Sequence, residues 1–146
     1  DFVRASLCWP LFVLFLVLGW APACGKKAPP TLAPKELSAW VTELRGEWEG
    51  GTVSLQGRVQ GKDLERVQGC AVYYARFDLD DLPCEGCPVP FQKLKNIHEQ
   101  VVVSHSFSCR FNMKKESGYY LFQVRLMGES GAVGPPSERV TFKISG

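Results

Sequence analysis

The chain predicts an all-β fold, an antiparallel β-sandwich of about seven strands, and three observations carry that expectation. From Lys35 onward, short runs alternate apolar and polar residues with a period of two. Turn residues separate the runs every ~8–15 positions, and no stretch past Lys35 holds a helical period for about twelve residues. Successive strand side chains point to opposite faces, so each run offers one face to a core and the other to water.

The runs follow in order. Leu37, Ala39 and Val41 share a face against Ser38, Trp40 and Thr42, and Glu49-Gly50-Gly51 then turns the chain. Val53, Leu55 and Val59 alternate with Ser54, Gln56 and Arg58 before the turn Gly61-Lys62-Asp63. Asp63 to Val67 reads as one turn of helix or as a loop, after which Cys70, Val72 and Tyr74 alternate with Ala71, Tyr73 and Ala75. Asp78 to Pro90 is acidic, Pro-rich and reads as loop. The most regular run puts Val101, Val103, Phe107, Cys109 and Phe111 on one face, broken only by His105, with serines opposite, and predicts one half-buried strand. Tyr120, Phe122, Val124 and Leu126 line a further strand, and Val140, Phe142 and Ile144 line the last.

Ahead of the sandwich stands a different kind of segment. Leu11 to Trp20 is apolar and uncharged, Arg4 precedes it, and Ala21-Pro22-Ala23-Cys24 follows. A secretory signal needs a basic start, an apolar run of ~7–15 residues and an A-x-A-like cleavage site, and Ala21 and Ala23 stand at −3 and −1 before Cys24. The stretch resembles a bacterial lipoprotein signal, in which the cysteine receives a diacylglyceryl group and becomes the first residue of the mature chain. That resemblance implies lipidation at Cys24, anchorage in the cell envelope and, with Gly25 next, an outer-membrane position facing the periplasm or the cell surface. Simple secretion by the same cut, or an uncleaved anchor over Ala5 to Cys24, which is close to the ~20 residues a span needs, are the other readings. Gly25 to Pro34, with Pro29, Pro30 and Pro34, is an extended spacer or, without lipid, a plain N-terminal tail. The expected organisation is therefore 1–23 signal peptide, 24–34 lipidated cysteine and tether, 35–146 sandwich.

The net charge of +2 and the lack of any basic cluster beyond Lys114-Lys115 argue against nucleic-acid binding. No Ser-His-Asp order, Gly-rich phosphate loop or zinc-protease motif occurs, so no catalytic residue and no cofactor are expected. Asp78, Asp80 and Asp81 lack the glycine and glutamate of a calcium loop. Of the six cysteines, Cys70, Cys84, Cys87 and Cys109 lie in the exported domain, and four allow three disulfide pairings. Cys84-Glu85-Gly86-Cys87-Pro88 reads first as a local disulfide. A redox pair would need a helix N-terminus to acidify a thiol, and a zinc site would need two further ligands, for which only His98 and His105 are at hand.

Gly118-Tyr119-Tyr120 through Leu126, then Gly128, Gly134-Pro135-Pro136-Ser137 and Val140, resembles the F strand, FG loop and G strand of a fibronectin type III domain, and Gly69-Cys70-Ala71-Val72-Tyr73-Tyr74 is similar to that family's strand C. The resemblance implies an immunoglobulin-like sandwich with Tyr120 as the tyrosine-corner residue, whose hydroxyl hydrogen-bonds back to the preceding turn. The family's buried tryptophan would fall near Gly57; Trp48 lies earlier. The resemblance also places the strands of Cys70 and Cys109 in opposite sheets, both thiols inward, where a cross-sheet disulfide forms if the Cα atoms lie about 4.4–6.8 Å apart; otherwise the two are buried free thiols.

The function expected is a non-enzymatic binding module, membrane-anchored through its N-terminal lipid, with a protein or glycan partner. Its contact surfaces would be the loops Cys84 to Pro90 and Gly128 to Pro136, joined by any exposed surface of Trp40 and Trp48. The alternative is a periplasmic redox or metal-handling protein using Cys84 and Cys87.

Overall fold

A computed structural model of the chain describes residues 36–145. The signal segment 1–23, Cys24 and the tether 24–34 lie outside the described residues. No helix among the described residues is long and apolar enough to cross a membrane.

Among the described residues eight strands form two antiparallel sheets. Strands β1 (Ala39–Glu49), β2 (Thr52–Gly61), β5 (Val102–Val103) and β6 (Ser106–Asn112) make one sheet, in the order β1-β2-β6-β5. Strands β3 (Val67–Phe77), β4 (Gln92–Ile97), β7 (Gly118–Gly128) and β8 (Val140–Ile144) make the other, in the order β4-β3-β7-β8. This is the A-B-E-D and C′-C-F-G arrangement of an immunoglobulin-like sandwich. The inner faces meet in a single core that includes Val41, Leu55, Phe107, Phe122, Val124 and Leu126.

Two departures from the sequence reading have local causes. The run Val101 to Asn112 is not one strand: Ser104 and His105 take φ of 48° and 67°, and Val103 pairs with Ser106 across a two-residue turn. Two positive φ values in a two-residue loop are the mark of a type I′ hairpin, whose twist suits paired strands. The turn is held from β2, where the Val59 amide donates to the His105 carbonyl at 2.8 Å. As a result Val103 leaves the core face and is 58% exposed. The second departure is in β1, where the register shifts between Thr42 and Arg45 and Glu43 adopts a φ of 51°. This bulge moves the inward face from Ala39 and Val41 to Leu44 and Trp48.

Trp48 is thereby turned into the core. Its ring meets those of Tyr120, Phe142 and Phe122 edge-on at 4.8, 5.9 and 6.0 Å, linking β1 of one sheet to β7 and β8 of the other. Trp40 is half-buried on the opposite face of β1. Asp63 to Val67 contains one short 3₁₀ turn, Leu64–Arg66, and the Asp63 carboxylate accepts from the Ser38 amide at 2.9 Å. Beside that contact Gly61 has a φ of 119°, and a Cβ there would run into the Ser38 carbonyl. Gly61→Ala should therefore lower stability by about 1–3 kcal/mol, measured as the urea unfolding midpoint.

Candidate functional site

The cysteines occupy two sites of different character. Cys70 on β3 pairs across the ladder with Ile97 and Leu126, Cys109 on β6 with Leu55, and both side chains are buried between the sheets. They stand as free thiols in side-chain contact: a hydrogen bond with Cys109, then burial, then the charge Cys109 would carry, push the Cys70 thiol far above its ordinary range. A buried, protonated thiol is a poor nucleophile.

Cys84 and Cys87, by contrast, are joined as a disulfide with their Cα atoms 5.4 Å apart. They staple the loop between β3 and β4 at a turn closed by the Cys87 amide donating to the Cys84 carbonyl at 3.1 Å. Gly86, third in that turn, has a φ of 81°, the conformation that a type II turn asks of glycine. A second turn precedes it, with the Asp81 amide donating to the Asp78 carbonyl at 3.1 Å.

This loop does not hang free in solvent. Ala75 and Leu121 are register partners on β3 and β7 and belong to the outer face, yet they are only 6% and 5% exposed. The loop folds back over that face. Arg139, at the entry to β8, donates to the Cys87 carbonyl at 2.9 Å and lays its guanidinium 5.6 Å from the centre of the Phe91 ring. Between loop and sheet remains a cleft of about 600 Å³. Leu82, Pro83 and Cys84 form its loop side and Leu121, Gln123 and Thr141 its sheet side, with Glu85 and Glu138 among the remaining lining groups. Replacing Cys84 and Cys87 by serine is expected to lower global stability by no more than about 2 kcal/mol, since the closed loop is short. Limited proteolysis should nevertheless shift to residues 78–91.

The second loop expected to carry recognition is tied down. The Gly128 amide donates to the Ala132 carbonyl at 2.9 Å, Gly134 donates to Leu126 at 2.9 Å, and Ala132 is fully buried. Ser137 then replaces the amides that Pro135 and Pro136 lack: its amide donates to Val124 and its hydroxyl accepts from the Val124 amide. The tip Glu129–Gly131 and the pair Pro135-Pro136 remain exposed. Tyr120 is buried near the start of β7 with its ring packed against Trp48, and among the described residues its hydroxyl makes no hydrogen bond, so the bond to the preceding turn expected of a tyrosine corner is not seen. His98 and His105 are exposed, on separate loops, and no group of three or more metal-ligating side chains gathers among the described residues. The cleft was not legible in the sequence, because its floor is the outer face of a strand and its wall a loop without periodicity.

No protein-family profile matches the chain, and no curated protein does. Among solved structures, the third fibronectin III domain of the human KIAA0343 protein is similar at 15% identity, over 84% of this chain and 97% of that one, with a TM-score of 0.47. The fn3 domain of human contactin 1 is similar at 15% identity, over 82% and 92%, with a TM-score of 0.43. A myokine is similar at 19% identity, over 78% and 100%, with a TM-score of 0.38. The chain's own two sheets and their strand order are those of an immunoglobulin-like antiparallel sandwich.

Proposed function

We propose that the chain is a lipid-anchored module of the cell envelope whose sandwich domain binds a protein or glycan and carries out no catalysis. The observation that carries the binding part is the stapled loop: a rigid scaffold presents one disulfide-pinned loop that walls a cleft. The anchoring part rests on the apolar run, the cleavage residues Ala21 and Ala23, and Cys24 followed by a Pro-rich spacer. Two or more acyl chains on Cys24 would give stable attachment, each buried CH₂ contributing about 0.8 kcal/mol. Cell fractionation tests this part: the wild type should sediment with membranes and Cys24→Ser should not, whereas equal distribution of both would overturn it.

Export also bears on Cys70 and Cys109. We propose that in the oxidising compartment the two become a disulfide, each sulfur losing a proton and the pair losing two electrons to the disulfide of a thiol-exchange oxidant, which is reduced to two thiols. A redox or metal-handling role for Cys84 and Cys87 would instead require reactive thiols at the loop. Rapid alkylation of both in the native protein, or stoichiometric zinc, would displace the binding reading of that loop.

A further inference from the structure

We infer that the cleft between the stapled loop and strands β7 and β8 docks a basic peptide segment through one aliphatic side chain. The inference deepens the binding-module reading and rests on it.

The apolar part of the argument comes from exposure. Among the described residues three large hydrophobic side chains are markedly exposed, and two of them, Leu79 at 40% and Leu82 at 48%, belong to this loop. Leu82 lines the cleft together with Pro83, opposite Leu121. An aliphatic side chain entering there would cover Leu82 and complete the packing over Leu121. The volume, about 600 Å³, suits a side chain and its neighbouring backbone rather than a whole domain.

The charge part selects the partner. Asp78, Asp80, Asp81 and Glu85 lie between 78 and 91, a segment with no Lys, Arg or His, in a chain whose net charge is +2. Asp78, its side chain 86% exposed, approaches Arg76 only at 4.0 Å. Among the described residues lining the cleft, the two carboxylates Glu85 and Glu138 outnumber the one cation, Arg139, whose guanidinium is held by the Cys87 carbonyl and over the Phe91 ring. The surroundings therefore attract lysine or arginine and repel phosphate, sulfate or uronate groups. The disulfide and the two turns fix the loop beforehand, so little ordering remains to be done on binding.

Fluorescence anisotropy with the mature protein in nonionic detergent tests this. The probe is a labelled peptide of lysines flanking one leucine, compared with a glutamate-flanked peptide and with one carrying serine for the leucine. Both changes should weaken binding about tenfold or more, as should Leu82→Ala and the pair Asp80→Asn with Asp81→Asn. Added salt should weaken the lysine peptide alone. All substituted side chains are exposed, and an unchanged thermal midpoint confirms an intact fold. The inference is overturned if the lysine peptide binds no better than the glutamate peptide, or if the loop variants keep wild-type affinity. Affinity that instead falls on changes at Glu129–Gly131 moves the site while the module reading survives. Binding of a sulfated polysaccharide in place of the peptide overturns the charge argument, as does a dimer, seen by sedimentation, that Leu82→Ala dissolves. If neither peptide nor polysaccharide is bound and no dimer forms, the inference fails and the module reading loses its main support with it.

Discussion

Trp48→Ala should cost the domain about 3–5 kcal/mol, a large part of the stability of a domain this size. The indole touches three aromatic rings of the opposite sheet, so its removal leaves a cavity at the point where β1 is fastened to β7 and β8. Edge-on aromatic pairs add ~0.5–1.5 kcal/mol each beyond the area they bury. The indole Nε1 is buried and donates to nothing among the described residues, which itself costs about 1–3 kcal/mol. Trp48→Phe removes that unpaired donor while keeping a ring, so it should cost less than half as much as the alanine change. Urea unfolding of the two variants checks both values, and a phenylalanine variant as unstable as the alanine one would show that the ring contacts are misjudged.

The second large effect is expected at Cys70 and Cys109. Oxidised, they close a long loop, worth about 4 kcal/mol in the chain-entropy model. Protein taken from the exported compartment should resist alkylation at both positions even after unfolding, and reductant should lower its unfolding midpoint by a corresponding amount. The reduced domain adds a signature in pH. The contact with Cys109 and burial raise the Cys70 thiol in the folded state above its ordinary value of 9.0. The folded state therefore holds this proton more tightly than the unfolded one, and its contribution is fully present below about pH 9. Above it, stability should fall by up to ~1.4 kcal/mol per pH unit, while the oxidised protein, with no proton on either sulfur, shows no loss from this source. Full alkylation of both sulfurs in unfolded, unreduced protein would rule the disulfide out.

How far the fold could be read from the residues depended on whether burial follows a simple period. Strand β6 buries one face and alternates cleanly, β2, β3 and β7 keep their inner-face apolar residues at a period of two although β3 and β7 bury outer-face residues as well, and the placement of Cys70 and Cys109 in opposite sheets followed from recognising strands C and E. Strand β4 escaped because it is an edge: Gln92, Lys93, Lys95 and Asn96 are exposed, leaving only Leu94 and Ile97 as apolar markers. The β5–β6 hairpin escaped because Ser104 and His105 hold the positive φ values that usually announce themselves as Asn-Gly. Trp48 was obscured by the bulge at Glu43, which reverses the phase of β1, so that counting by two from Val41 puts the tryptophan on the wrong face. The cysteine spacing did mark the staple, and the acidic residues between Asp78 and Asp81 marked a loop. What those residues could not announce was that the loop folds back over Ala75 and Leu121 to enclose a cleft, since that depends on Arg139, a residue distant in sequence.

Anchorage decides what kind of module this is, and one mass measurement reads it directly. The N-terminal peptide of the mature protein, isolated from membranes and fragmented, should begin at Cys24 and carry a diacylglyceryl group on its sulfur. A peptide beginning at an unmodified Cys24, or one retaining residues before it, would contradict the lipid-anchored account.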